Sequence, residues 1–197
     1  MNYQNKMQEI IESLNFRPKL LLHSCCGPCS TTVLSLLASY FDITVLYYNP
    51  NIEPKEEYYK RKEEQIRFIK EFNNEHIKFM DCDYNNQDFR SRVVGLEQER
   101  EGGARCAVCF KLRLEKTAEI AKALDFDYFG TTLTVSPHKN SEVINKIGAL
   151  LETEYGVKYL YSDFKKKDGY KRSIELSKKY NLYRQDYCGC EFGRTSL

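Results

Sequence analysis

Apolar runs and polar amphipathic segments alternate along the chain. Short runs rich in aliphatic and aromatic residues predict strands. These runs lie at Lys19–His23, Ile43–Tyr48, Ile77–Asp81 and Val157–Tyr161, with one more strand predicted in the stretch FDYFGTTLTV. Unbroken apolar runs are typical of strands that are covered on both faces, as in a parallel sheet.

Longer segments with helical periodicity separate these runs. They are predicted at Thr31–Tyr40, Glu56–Asn73, Gln87–Leu96, Ala104–Leu124, Ser141–Glu152 and Gly169–Tyr180. The second of them is highly charged, and its apolar stripe is predicted at Tyr59, Ile66, Ile69 and Phe72. The strand and helix order predicts an α/β fold, in which a parallel sheet is flanked by helices.

The domain organisation is expected to be simple. No linker rich in proline, glycine and serine interrupts the chain, so we expect one α/β domain over residues 1–197, with an N-terminal extension at 1–17 and a C-terminal tail at 181–197. The first residues lack a basic region followed by an apolar run, and no run of about 18 apolar residues occurs. We therefore expect a soluble, cytoplasmic protein that makes no contact with a membrane.

Charge and cysteine content narrow the chemistry. Lys and Arg number 30 against 28 Asp and Glu, and a net charge of +2 does not by itself indicate nucleic-acid binding. A chain of 197 residues can bury a core without disulfides, yet it contains eight cysteines. In a reducing compartment, clustered cysteines indicate metal or redox chemistry.

The first cysteine group occupies the loop HSCCGPCST, directly after the first predicted strand. In parallel sheets this loop commonly reaches the ligand site. Gly27 permits unusual backbone angles, Pro28 stiffens the turn, and the adjacent Cys25 and Cys26 can reach two corners of one cluster. Cys29 forms a C-x-x-C spacing with Cys26, which occurs in redox pairs as well as in metal sites.

The second group, Cys106 and Cys109 in RCAVCFKLRLEKTA, lies at the predicted start of a long helix. Three residues are close to one helical turn, so both sulfurs share a face. Together with Cys25 and Cys26 they would make four thiolates, the usual complement of a 4Fe–4S cluster or a structural zinc ion.

The third group is Cys188 and Cys190, which flank a glycine in YRQDYCGCEFG. A disulfide between them would close a small, strained ring and would be easily reduced, which suits a reversible two-electron store. Two further metal ligands, or two incidental exposed thiols, are the competing interpretations. Cys82, at a strand end, is interpreted as a core cysteine.

Together these motifs resemble a known family. The segments LLHSCCGPCS, YYNPNIEPKEEYYKR, RCAVCFKLRLEKTA, TTLTVSPHKN and LYRQDYCGC, in this order, are similar to those of the QueH-type epoxyqueuosine reductases, which are independent of cobalamin. The resemblance implies a fold like that of the adenine-nucleotide α-hydrolase (HUP-type) superfamily, with a cysteine-rich metal site at the carboxyl ends of the strands. It also implies reductive removal of the epoxide oxygen of epoxyqueuosine at the tRNA wobble position, the final step of queuosine biosynthesis.

The resemblance further implies the cofactors and the residues that bind them. A 4Fe–4S cluster is expected on Cys25, Cys26, Cys106 and Cys109, and a redox-active disulfide between Cys188 and Cys190. An adjacent mononuclear iron is expected as well, with Cys29 and Asp83 as its candidate ligands. The expected partners are tRNA carrying epoxyqueuosine and a separate electron donor.

Other polar residues are candidates for placing the substrate. His138, in SPHKN, is a candidate proton donor. Arg105, Arg113, Tyr183 and Arg184 are candidates for contacts with the substrate or with the tRNA, where arginines supply positive surface for phosphates. For each of them an ordinary structural or solvent-exposed role is an equally good interpretation.

Two other functions remain open at this point. An enzyme that activates an RNA base through ATP would need a pyrophosphate-binding S-G-G-x-D-S type of motif, whereas cysteines occupy the first loop here. A zinc- or Fe–S-stabilised tRNA-binding protein, or another tRNA-modifying protein on the same fold, is the stronger alternative. A zinc protein would be colourless, whereas a four-iron cluster would make the protein brown and give acid-labile sulfide.

Overall fold

The computed structural model describes the backbone of residues 2–196 and the side chains of residues 2–193. Five strands are β1 Lys19–His23, β2 Asp42–Tyr47, β3 Ile77–Asp81, β4 Tyr128–Thr131 and β5 Lys158–Tyr159. The α-helices are α1 Tyr3–Glu12, α2 Gly27–Leu37, α3 Lys55–Phe72, α4 Gln87–Arg90, α5 Ala104–Ala123, α6 Ser141–Tyr155 and α7 Gly169–Lys179. Short 3₁₀ turns lie at Leu133–Val135, after β4, and at Glu191–Ser196, after α7.

The strands form one sheet in the order β3-β2-β1-β4-β5, and every pair is parallel. At the carboxyl end of β1, His23 is in register with Leu46 of β2 and with Thr131 of β4. The chain order reverses on either side of β1, and such a switch point opens a crevice outside the strand ends. The α/β fold predicted from the sequence is confirmed, and its kinship with the adenine-nucleotide α-hydrolases stays a prediction.

The core lies on both faces of this sheet. Leu20, Leu21 and Leu22 of β1 are completely buried, and alternate strand residues point to opposite faces. Leu20 and Leu22 pack with residues of α1, α2 and α3, whereas Leu21 packs on the opposite face with residues of α5 and α6. Burial of each such side chain stabilises the fold by about 1.5–3 kcal/mol, so the central strand holds the first cysteine loop on a rigid base.

The N-terminal extension contains a helix that the sequence did not predict. In α1, Met7 and Ile11 are buried against the core, and the side chain of Asn2 accepts a hydrogen bond from the N–H of Asn5 at 3.3 Å. Two buried residues four positions apart give only a weak periodic signal. By contrast, the predicted helix at Gln87–Leu96 ends early, at Arg90.

The buried face of α3 also differs from the prediction. The buried residues of this helix are Tyr58, Arg61, Gln65 and Phe68. Tyr59, which begins the predicted apolar stripe, is 41% exposed. The reason is that two of the four buried residues, Arg61 and Gln65, are polar. A search for regularly spaced apolar residues cannot identify them as buried. No helix within residues 2–196 is long and apolar enough to cross a membrane.

Candidate metal centre and active site

The first cysteine loop is fixed by polar contacts from α3. The hydroxyl of Ser24 donates a hydrogen bond of 2.7 Å to Oε1 of Gln65, whose Nε2 donates one of 2.9 Å to the hydroxyl of Ser30. Pro28 lies in the first turn of α2, where its fixed φ suits a helix start. One buried glutamine therefore ties both ends of the cysteine loop to α3.

The loop brings three sulfur atoms together. The Sγ atoms of Cys25, Cys26 and Cys29 all lie within 4.8 Å of one another, and those of Cys25 and Cys26 are 3.8 Å apart. Hydrogen bonds from Cys26 and Cys29 hold the pKa of the Cys25 thiol well below its usual range, and the same contacts raise the pKa of Cys29. Cys25 is thus the first thiolate of the group, and thiolates are the form that binds metal.

The second cysteine pair faces the same space from α5. Cys25, Cys106, Cys109, Cys188 and Cys190 line one cavity, which we call the inner cavity. Cys109 is buried, and burial raises the pKa of its thiol. The sulfur of Cys106 accepts a hydrogen bond of 3.2 Å from a backbone N–H in the preceding glycine pair. Of the four expected cluster ligands, Cys25, Cys106 and Cys109 line this cavity, whereas Cys26 lies beside it in the first cysteine loop.

The donor set fits a thiolate-bound metal group. Five cysteines line the inner cavity, with Glu101 and His138 beside them, and a donor set dominated by soft sulfur favours iron–sulfur clusters or zinc over hard cations. Among residues 2–193, the group of Cys25, Cys26 and Cys29 is the one set of three potential ligands close enough to hold a single ion. Cys106 and Cys109 face the cavity from another element. That separation suits a cluster, which lies between its ligands.

The C-terminal tail folds back onto this site and carries Cys188 and Cys190 with it. Arg61 is 2% exposed and donates hydrogen bonds of 3.3 Å to the carbonyl oxygens of Tyr187 and Cys188. Its Nε lies 2.7 Å from a carboxylate oxygen of Glu57. The Tyr183 hydroxyl donates to the same carboxylate at 3.2 Å. Helix α3 thereby anchors the cysteine pair over the inner cavity.

The backbone between the two tail cysteines is closely confined. Gly189 has φ +99°, and a Cβ there would lie 2.8 Å from Cγ1 of Ile52. Its carbonyl oxygen accepts a hydrogen bond of 2.9 Å from the N–H of Glu53. A hydrogen bond from Cys190 lowers the pKa of the Cys188 thiol to about 6. The two sulfurs therefore interact, and Cys188 is the more readily ionised.

We expect the substitution Arg61→Met to lower the free energy of unfolding by about 3 kcal/mol, because it leaves a buried carboxylate without its cation. It also removes both side-chain donors to the tail carbonyls. Denaturant unfolding measures the change, and proteolysis of the tail should become faster. Lys146→Met, which removes a lysine from an exposed pair with Glu142, is the matched control, and its unfolding midpoint should not move. Equal midpoints for the two variants would contradict the anchoring role.

A second space adjoins the inner cavity and opens outward. This outer cleft has a volume of about 390 Å³ and shares Cys25, Glu101, His138, Lys139 and Cys188 with the inner cavity. Arg184 lines it as well. Volumes of this size are typical of small-molecule sites. A ligand in the cleft would therefore meet both the metal-binding cysteines and the tail cysteines.

The structure shows where three further candidate residues lie, two predicted to contact the substrate or the tRNA and one predicted to bind a second iron. Arg105 is 1% exposed, and it donates hydrogen bonds to the carbonyl oxygens of Glu97 and Glu99 at 2.7 and 2.6 Å. Arg113 is 3% exposed and donates to the carbonyl oxygen of Cys109 at 3.1 Å. Neither therefore supplies surface charge. Asp83 follows the edge strand β3, is exposed, and lines neither the inner cavity nor the outer cleft, so the structure does not bring it to the metal-binding cysteines.

Comparison with known proteins agrees with this arrangement. The family model described as Epoxyqueuosine reductase QueH matches residues 20–196. The chain is 47% identical to the Epoxyqueuosine reductase QueH of Streptococcus pyogenes serotype M1, over 98% of this chain and 78% of that protein. It is 43% identical to the protein of that name from Haemophilus influenzae, over 94% and 76% of the two chains. For the one from Thermotoga maritima the identity is 35%, over 88% of each chain. A match across nearly the whole chain, including all three cysteine groups, means that this protein belongs to the epoxyqueuosine reductase QueH family.

Proposed function

We propose that the protein is an epoxyqueuosine reductase of the cobalamin-independent type. It removes the epoxide oxygen from the cyclopentane ring of epoxyqueuosine at the tRNA wobble position, as the last step of queuosine biosynthesis. The observation that carries this proposal is that cysteines from three separate segments line one cavity, in a chain that is 47% identical to an epoxyqueuosine reductase. The reaction consumes two electrons and two protons and gives an alkene and one water.

We propose further that the inner cavity holds a 4Fe–4S cluster. Its ligands are Cys25, Cys26, Cys106 and Cys109, and support comes from the all-sulfur donor set and its distribution over two helix N-termini. Such a cluster supplies electrons one at a time. Cys29 lies within the same tight sulfur group, so it remains the candidate ligand for an adjacent mononuclear iron.

Cys188 and Cys190 in the tail can supply the electron pair that a cluster transferring one electron at a time cannot supply alone. In this proposal Cys188 and Cys190 exchange between a dithiol and a disulfide, which stores or releases an electron pair. Their thiols already interact, and the backbone N–H of Cys190 approaches the sulfur of Cys188 at 3.4 Å. The thiolate of Cys188 is the group poised to attack a disulfide or to form one, because its pKa lies below that of an ordinary thiol.

The outer cleft receives the modified base. Arg184 is exposed and lines the cleft, so it can contact a tRNA phosphate near the extruded base. Tyr183 is oriented by Glu57 and acts through the tail rather than by direct stacking. His138 is exposed at the boundary between cleft and cavity, where it can supply a proton. Electrons arrive from an external donor, and a tRNA substrate places the enzyme in the cytoplasm.

The decisive experiment is an anaerobic assay on tRNA that contains epoxyqueuosine. With a reconstituted cluster and a chemical reductant, we expect the modified nucleoside to lose the mass of one oxygen atom. The same tRNA without protein, and protein without reductant, should leave the nucleoside unchanged. If a fully loaded protein forms no queuosine, the proposed function is wrong.

A further inference from the structure

Lys139 lies where the inner cavity meets the outer cleft, and it lines both. Its backbone is fixed by two contacts. The N–H donates a hydrogen bond of 3.3 Å to the carbonyl oxygen of Ser136, and the carbonyl oxygen accepts one of 3.3 Å from Nζ of Lys165. The next residue, Asn140, caps α6. A half-buried lysine is therefore presented from an anchored loop rather than from a free one.

Lys139 shares its position with one carboxylate, because Glu101 lines the same two spaces, but the two do not form an ion pair. Within residues 2–193, nearby lysines pair with acids, as Lys165 and Lys166 do with Asp163, whereas no ion pair is formed by Lys139. Cys25, Cys188 and Glu101 line both spaces together with it, and Arg113 lines the inner cavity. A lysine side chain is an ammonium group at neutral pH and carries three hydrogen-bond donors.

The proposed reaction needs a cation at this boundary. When a carbon–oxygen bond of the epoxide breaks, the oxygen takes the bonding electrons and becomes negatively charged. Two electrons from the reduced protein then form the carbon–carbon double bond as the second carbon–oxygen bond breaks, and two protons convert the released oxygen to water. Preorganised donors aimed at a developing oxyanion are among the strongest contributions to catalysis.

We propose that Lys139 is the catalytic cation of this site, whose ammonium group donates a hydrogen bond to the epoxide oxygen and stabilises it as the carbon–oxygen bond breaks. This inference rests on the proposed function. It assigns the oxygen to the part of the site between Cys25 and Cys188, both of which line the same two spaces as Lys139. No other lysine or arginine lines both spaces.

The other polar groups are placed less well for this role. Arg113 lines the inner cavity alone, and its Nε is used by the carbonyl oxygen of Cys109. Arg61 and Arg184 line only the outer cleft. His138 shares the boundary but is exposed, so it suits delivery of a proton from solvent. Lys139 thus holds the oxygen while a proton arrives by another route.

Binding to the oxidised protein, which cannot turn over, tests the contact directly. We expect tRNA with epoxyqueuosine to bind about tenfold more tightly than the same tRNA with queuosine, because only the former offers the acceptor oxygen. Lys139→Met should remove this preference and leave the Kd for queuosine tRNA unchanged. Lys139→Arg, which keeps a donor and the charge, should retain part of the preference. Lys158→Met removes the same charge near the start of β5 and should retain all of it.

Kinetics on protein reduced beforehand supply the second measurement. The single-turnover rate constant at saturating protein should fall about 100-fold in Lys139→Met and recover to within about tenfold of wild type in Lys139→Arg. Loss of a cation beside an anionic cluster would lower the reduction potential of that cluster and make it a stronger reductant. This change would raise the rate constant, so it cannot explain the expected fall. Iron and sulfide contents should match those of wild type.

The failures are distinguishable. If wild type forms no queuosine, the proposed function fails, and with it this inference. If wild type is active but Lys139→Met keeps the tRNA preference and the rate, only the role of Lys139 is wrong. A loss of iron in Lys139→Met would show that the lysine stabilises the metal site, and equal weakening of both tRNAs would show a phosphate contact. Either result overturns the assignment.

Discussion

Replacing Cys109 with serine should abolish both the 4Fe–4S cluster and the formation of queuosine. Cys109 is 6% exposed on the wall of the inner cavity formed by α5, so no solvent ligand can easily take its place. A serine hydroxyl does not ionise near neutral pH and binds iron poorly. Wild type purified anaerobically should be brown and contain about four sulfide and four iron per chain, or about five iron when the adjacent mononuclear site is filled. The variant should lose the absorption near 400 nm and its turnover together.

This cysteine is chosen because it separates two kinds of metal site. Cys25, Cys26 and Cys29 are close enough to hold a single ion without help from α5. A zinc ion bound by these three would survive the loss of Cys109, and wild type would then be colourless. The cluster would not survive. Retention of the wild-type metal content in Cys109→Ser would therefore contradict the four-thiolate assignment and favour the zinc-stabilised alternative.

The matched control is Cys82→Ser. Cys82 is half-buried after β3 and lines neither the inner cavity nor the outer cleft. Its position away from both spaces is that of a packing residue rather than of a ligand. We expect this variant to keep its colour, its iron content and its activity. A loss of iron in Cys82→Ser would mean that a cysteine outside the cavity takes part in the site.

The sheet and the cysteines were accessible from the sequence because both have strong local signals. An apolar run such as Lys19–His23 can be buried in few ways, and the observed β1 has the predicted bounds. Thiols three residues apart at a helix start must share a face, so the grouping of Cys106 with Cys109 followed directly. These two cysteines meet Cys25 at one cavity because β1 lies between β2 and β4 in the sheet. The order of the strands along the chain does not specify this order in the sheet.

The polar residues that hold the site together were missed for a physical reason. Arg61 and Gln65 are buried at 2% and 0% exposure on a helix whose other residues are mostly charged. A buried polar side chain is stable only when its partners are in place, and those partners are up to 127 residues away in sequence. Lys139, which we propose as the catalytic cation, carried no signal of its own in the sequence, since its neighbour His138 has the more familiar catalytic side chain. Buried polar residues of this kind are identified by their contacts in the folded structure and not by their residue type.

Replacing Cys188 with serine should leave the cluster intact but remove most of the stored reducing power. Wild-type protein, fully reduced and then freed of reductant, should hold about three electrons per chain, one on the cluster and two on the dithiol. Cys188→Ser should hold about one. Because the reaction consumes two electrons, wild type should yield about one queuosine per chain in a single turnover, and the variant should yield little. Iron content measured on the same samples verifies that the cluster is unchanged.

Cys190→Ser should reproduce this result, since a disulfide needs both sulfurs, whereas Cys82→Ser should behave as wild type. Gly189→Ala retains both thiols but places a Cβ 2.8 Å from Ile52 and 3.2 Å from Nη1 of Arg61. It should therefore slow formation of the disulfide without changing the number of cysteines. A stoichiometric yield of queuosine from pre-reduced Cys188→Ser would exclude the dithiol as the electron store. The same outcome would require both electrons to pass through the metal centre, with the tail cysteines serving only to close the cavity.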